Sequence, residues 1–234
     1  MDLGQLIYSI KEASNEQLRN DELFKFIGYC IQLAHQSEAQ NYQDVWAFWE
    51  SDGKTEGFFV EFGATDGKTS SNTFMLEKKY GWTGILAEPN PTWHKELAKN
   101  RAALISHDCV YTESGKTIEF LKTEAADLAT IRGFGDDEFV EERKKSEVIE
   151  VLTISLYDML ELYEAPNVVD YLSIDTEGAD FDILRALDLA RFNVEVVDIE
   201  NNHFGDEIGL AQHRCARRFV RIAIARSRRV YRLR

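Results

Sequence analysis

Ten residues at positions 58–67, reading FFVEFGATDG, constrain the fold of this chain more than any other stretch. Phe58, Phe59, Val60 and Phe62 make a continuous apolar run, the pattern of a strand buried on both faces in a central parallel sheet. Glu61 lies at the strand end. Gly63 and Gly67 then bracket a turn whose missing side chains allow positive φ and a close backbone approach to a ligand. The helix that follows is expected from about Ser70 or Ser71, either of which suits an N-cap. Such a junction reads as a nucleotide-type cofactor site, or as a plain Gly-rich turn. The dinucleotide fingerprint is Gly-x-Gly-x-x-Gly, whereas the order here is Glu-x-Gly-x-x-x-Gly. A dinucleotide needs its pyrophosphate on amides at a helix start. S-adenosylmethionine carries no phosphate, and a strand-end carboxylate suits its ammonium, directly or through water.

A second acid extends the pattern. A strand over Thr83–Ala87 ends in Glu88 and is stopped by Pro89, Asn90 and Pro91. Glu88 follows Gly67 by about twenty residues, the separation at which nucleotide-binding α/β folds place an acid on ribose hydroxyls. A third strand is expected over residues 103–110, with Asp108 near its end as a candidate for the adenine amino group. Ala64, Asp66 and Asn72 on the first side, and Pro89 on the second, complete the candidate cofactor contacts. Farther on, residues 168–174 form an apolar strand delivering Asp175, Thr176, Glu177 and Gly178, and residues 194–199 another delivering Glu200, Asn201, Asn202 and His203. In doubly wound sheets the ligand crevice lies beyond the carboxyl ends of the strands, so all these groups are expected at one opening.

The blocks FFVEFGATDG, SSNTFMLEKKYGWTGILAEPNP, DYLSIDTEGADFDIL and VVDIENNH resemble, in order and spacing over residues 43–203, the FkbM family of S-adenosylmethionine-dependent methyltransferases. The resemblance implies an α/β, Rossmann-like class I methyltransferase sheet, mostly parallel with helices on both faces, and O-methylation of a hydroxyl. Sugars and polyketide-type natural products are the acceptor classes it implies. Methyl transfer to a hydroxyl needs an in-line approach and removal of a proton. Asp175 is the first candidate for a group near the reacting atoms, with Glu177 and His203 as candidate bases. Asp175 and Glu177 also suit capping of the next helix. Asp175, Glu200 and His203 have the composition of an oxygen-rich Mg²⁺ site that would serve an acceptor diol. Two other classes stand beside the enzyme: a catalytically silent cofactor- or partner-binding protein, and a nicotinamide-dependent oxidoreductase, which the missing third-glycine spacing disfavours.

At 234 residues the chain suits one α/β domain with a helical extension. Residues 1–55 read as that helical extension: Leu3, Leu6, Ile7 and Ile10, then Leu23, Phe26, Ile27, Cys30, Ile31 and Ala34, keep helical spacing, and Trp46, Phe48 and Trp49 suit a third short helix. Together they form an expected cap beside the sheet. The core is expected over 56–207, interrupted by an insertion at about 116–151 that reads as a lid with hinges at Gly133 and Gly135, or as a solvated helix face. Within it, residues 117–121 suit a short strand and 124–131 a turn or helix. All 41 acids precede Ile208, and nine arginines follow with no lysine. So acidic a body repels a nucleic-acid backbone. The Arg-rich end, 208–234, reads as the last sheet strands or as an aberrant tail from an altered frame. No apolar run approaches the length of a membrane span, and the acidic start lacks the pattern of a secretory signal. Cys30, Cys109 and Cys215 are odd in number and far apart, so a reduced, cytoplasmic location is expected.

Overall fold

The computed structural model describes residues 22–123, 129–134, 145–176, 179, 182–183, 186 and 191–199. Two helices, α1 (Glu22–Leu33) and α2 (Gln43–Glu50), lead into the strand β1 (Phe58–Phe62). Then come α3 (Phe74–Tyr80), β2 (Thr83–Ala87), α4 (His94–Asn100) and β3 (Leu104–Ser106). The order continues with β4 (Cys109–Tyr111), β5 (Thr117–Lys122), β6 (Thr130–Ile131), β7 (Glu147–Ser155), α5 (Leu156–Leu162), β8 (Val168–Ile174) and β9 (Asn193–Ile199).

Five strands pair in parallel in the order β3-β2-β1-β8-β9. The chain winds outward from β1 through β2 to β3, then crosses back to lay β8 on the other side of β1. That reversal opens a crevice at the carboxyl ends of β1 and β8. Alternation along β1 divides the interior. Phe59 points into a cluster with Val45, Ala47 and Phe48 of α2, Met75 and Leu76 of α3, Leu97 of α4, and Trp82. Val60 and Phe62 point into a second cluster with Phe120, Ile131, Val151, Leu156, Met159 and Leu160. Each fully buried Phe or Leu stabilises the fold by roughly 1.5–3 kcal/mol, so both faces of the sheet are heavily held.

Strands between residues 109 and 155 make a second sheet, β4-β7-β5-β6, in which β7 runs parallel to β4 and antiparallel to β5. Residues 117–121 are a strand, as expected, but Thr130 and Ile131 pair with β5 as β6, where the sequence suggested a turn or helix. The expected third strand also divides. β3 stops at Ser106, and after His107 and Asp108 the chain joins the second sheet as β4. One apolar run therefore serves two sheets. The N-terminal periodicity in residues 3–10, Gly135, residues 136–144 and the Arg-rich end lie outside the described residues.

Candidate active site

Strand register assembles the site. Phe62 faces Ala87, Ala87 faces Ser106, and Glu61 faces Ser173. One step beyond the sheet, His107, Glu88, Gly63 and Asp175 therefore stand in a row across the carboxyl edge. Gly63 has φ +68°, and a Cβ there would overlap the carbonyl oxygen of Asp175. Gly67 has φ +74°, and a Cβ there would sit 2.6 Å from Leu97 Cδ1 and Arg101 Cγ. The described protein contacts thus account for both glycines through close packing of protein against protein.

Glu88 is 4 % exposed. Its Oε2 accepts the Thr65 N–H at 2.9 Å and its Oε1 the Asn90 N–H at 2.7 Å. Each oxygen keeps a lone pair beyond those bonds. Burial pushes the carboxyl up to about 7, against the lowering effect of the two amides. His94 Nε2 lies 2.9 Å from the Glu88 carbonyl oxygen, which only accepts, so this nitrogen carries the proton. The His94 ring stacks on His107 at 3.7 Å with 7° between planes. Burial holds His94 below its usual value, and the neighbouring His107 adds to this.

Glu61, 3 % exposed, is occupied from within. Its Oε1 accepts the Asn72 N–H at 2.7 Å, and its Oε2 accepts the hydroxyls of Ser71 at 3.1 Å and Thr73 at 2.5 Å. Arg101 fixes the direction of those hydroxyls. Its guanidinium donates to Ser71 Oγ at 3.0 Å, to Thr73 Oγ1 at 2.8 Å and to the Gly67 carbonyl at 3.1 Å. A guanidinium only donates, so each hydroxyl turns its own proton to Glu61. The fork also reaches Glu77 at 2.8 Å and lies 3.5 Å from Glu61, with its cation over the Phe59 ring. Burial works against an ionised Glu77, but the Arg101 charge and hydrogen bonds from Lys78, Ala102 and Arg101 hold it below the usual carboxylate range. Nothing in the sequence reading found Arg101, His94 or His107. The signals were slight: an arginine before Ala102 and Ala103, a histidine in the stretch after Pro91, and a second histidine inside the expected third strand.

The remaining sequence candidates divide. Ala64 is buried, and its N–H donates to Ala87. Asp66 closes an exposed turn by accepting from Lys68 N, Thr69 N and Thr69 Oγ1. Asn72 is buried against Ser173 through Nδ2 at 2.9 Å. Pro89 follows Glu88 directly at the sheet edge. Asp108 lies one residue past the row, where it borders an open groove of about 500 Å³ with Leu152 and Asp158. The helix expected from Ser70 or Ser71 begins at Phe74, yet Ser71 Oγ does accept from the Phe74 N–H at 3.1 Å. Glu177, Gly178, Glu200 and His203 lie outside the described residues, which leaves Asp175 as the one described member of the candidate metal group. Among the described residues no group of three His, Cys, Asp or Glu is arranged to hold a metal ion, and no helix is long and apolar enough to cross a membrane.

Comparison with known proteins bears on this geometry. No curated protein and no solved structure matches the chain. Residues 61–233 match the family described as Methyltransferase FkbM domain, a span that opens on Glu61 and runs through the Arg-rich end. The chain belongs to the FkbM methyltransferase family.

Proposed function

We propose that the protein is an S-adenosylmethionine-dependent O-methyltransferase with a Rossmann-like class I sheet, acting on a hydroxyl of a sugar or small natural product. The observation that carries this reading is Glu88, a buried strand-end carboxylate with one lone pair left on each oxygen, beside the Gly63 turn of a methyltransferase-family chain. Two such lone pairs suit the two hydroxyls of a ribose. The stacked His94 and His107 rings wall the β3 side of Glu88, where a nucleobase would follow the ribose. Thr65 N–H and Asn90 N–H hold the carboxylate in place, and Glu61 with Arg101 holds the turn.

When bound, S-adenosylmethionine supplies an activated methyl on a sulfonium, so the protein's own task is orientation and proton removal. Asp175, packed by its backbone on Gly63, stands next to the cofactor turn and orients the acceptor hydroxyl. Glu177 and His203 are the proposed bases. The support for a soluble small-molecule acceptor is the acidic body, which disfavours polyanions. The test is calorimetric titration with S-adenosylmethionine and S-adenosylhomocysteine, followed by transfer of labelled methyl to a panel of sugars. Folded protein that binds neither compound would reject the reading. Asp175→Ala is expected to lower kcat about tenfold or more with the cofactor Kd unchanged, the pattern of an interaction made in the transition state. Wild-type turnover in that variant would remove Asp175 from the chemistry.

A further inference from the structure

Two buried acceptor oxygens on the α2 face of the sheet have no donor among the described residues: Oδ2 of Asp44 and Oδ1 of Asn72. Asp44 is fully buried and Asn72 is 4 % exposed. Asn72 is bonded to Glu61, and Asp44 lies close enough for the Glu61 charge to raise it. The Asn72 N–H donates to Glu61 Oε1, and its Nδ2 is used on Ser173, which leaves Oδ1. Asp44 Oδ1 accepts from Ser37 Oγ at 2.6 Å and Val45 N at 2.7 Å; the Glu38 N–H also acts on the carboxyl and lowers it, but makes no well-formed hydrogen bond to Oδ2, which is left without one. The Asp44 and Glu61 charges both raise Tyr171, which is buried on this face. The segment that carries Ser37 and Asp44 runs along the cofactor turn, with Ala39 bridged to Ser70 and Glu38 3.8 Å from Lys68.

A buried oxygen without a donor is costly, and a buried carboxylate more so. Two of them beside one occupied carboxylate mark a place where a donor arrives from outside the described protein. Burial pushes Asp44 up to about 6, the response of a carboxyl with no positive partner. Glu61 is poorly placed to receive that donor, because Ser71, Asn72, Thr73 and Arg101 already converge on its oxygens.

We infer that Asp44 Oδ2 and Asn72 Oδ1 accept the ammonium of the cofactor's amino-acid part, an assignment that rests on the S-adenosylmethionine reading above. Glu61 is then a positioning residue that fixes Asn72, and the helix α2 supplies a direct cofactor contact. A water has donors enough for both oxygens, but only the ammonium also brings the charge that offsets a buried Asp44 carboxylate.

Calorimetry with two probes tests this. S-adenosylhomocysteine carries the amino-acid part, whereas 5′-methylthioadenosine keeps the nucleoside and lacks it. Asp44→Asn is expected to weaken S-adenosylhomocysteine by about tenfold or more and 5′-methylthioadenosine by less than about twofold. Equal losses for both probes, or no loss for the first, overturn the assignment. Wild-type protein that binds neither probe overturns instead the cofactor reading on which it rests. Should Asp44→Asn not fold, Ser37→Ala carries the test by removing the hydroxyl that holds Asp44: selective weakening of S-adenosylhomocysteine supports the assignment, and its absence overturns it.

Discussion

Arg101→Met is expected to lower the unfolding free energy by about 3–5 kcal/mol, the cost of removing one partner from a buried ionic network. For a domain of this size the melting temperature then falls by roughly 6–20 °C. The side chain is 0 % exposed, and its fork joins α4 to the Gly67 carbonyl, to Ser71 and Thr73, and to the carboxylates of Glu61 and Glu77. Methionine fills much of the space but leaves two acids beside each other without the cation, and it frees the hydroxyls that Arg101 orients. Arg101→Lys is expected to restore little, since an ammonium lacks the planar fork that serves several acceptors at once. Chemical denaturation of both variants checks this. A Met variant melting within about 2 °C of wild type would show that the network adds nothing to stability.

Glu88→Gln is expected to weaken S-adenosylhomocysteine by about tenfold or more at pH 8, since one charge-assisted hydrogen bond of about 1.5 kcal/mol is lost and the other keeps only a neutral acceptor. The variant also changes two pH profiles. A diol is accepted by the ionised carboxylate, so wild-type affinity should fall about tenfold per unit as pH drops below about 7, while the Gln variant holds its affinity down to about pH 6, where Asp44 takes up its proton. Stability runs the other way. Folded Glu88 titrates at about 7 against an ordinary 4.5, so the folded state holds the proton more tightly than the unfolded chain. The resulting stability is fully present below pH 4.5 and is lost as pH rises through about 7, an effect on the order of 3 kcal/mol that the Gln variant removes. Asp44, raised to about 6 by burial, adds a slope of the same sign that persists in Glu88→Gln and disappears in Asp44→Asn. Calorimetry and melting curves between pH 5 and 8 separate the two carboxyls, and a wild-type affinity independent of pH would take Glu88 out of the ribose contact.

The strands of the main sheet were legible because burial on both faces writes itself as continuous apolar runs: β1, β2, β8 and β9 fall within a residue or so of their expected bounds. Glu88 was legible for a similar reason, since a strand end is a fixed place. The start of α3 was not, because Ser71 spends its hydroxyl on Glu61 as well as on the helix, and the chain makes an extra turn before the first helical residue. The break between β3 and β4 leaves no mark in an apolar run that suits either sheet. Arg101 is forty residues from Glu61 in sequence, and nothing local announces that the two are partners. The positive φ of Gly63 and Gly67 follows from their place in the turn, whereas their close neighbours, Asp175 for one and α4 with Arg101 for the other, come from distant parts of the chain and leave no local mark.

The central sheet keeps two hydrophobic clusters apart, one with α2, α3, α4 and the turn network, the other with α5 and the second sheet. Substitutions that share no partner across such a partition change stability nearly independently. The face that carries α5 and the second sheet can therefore change in sequence while the face with α2, α3 and α4 stays under separate constraint. Paired substitutions, one in each cluster, are therefore expected to add in their effects on stability, whereas pairs within one cluster are not.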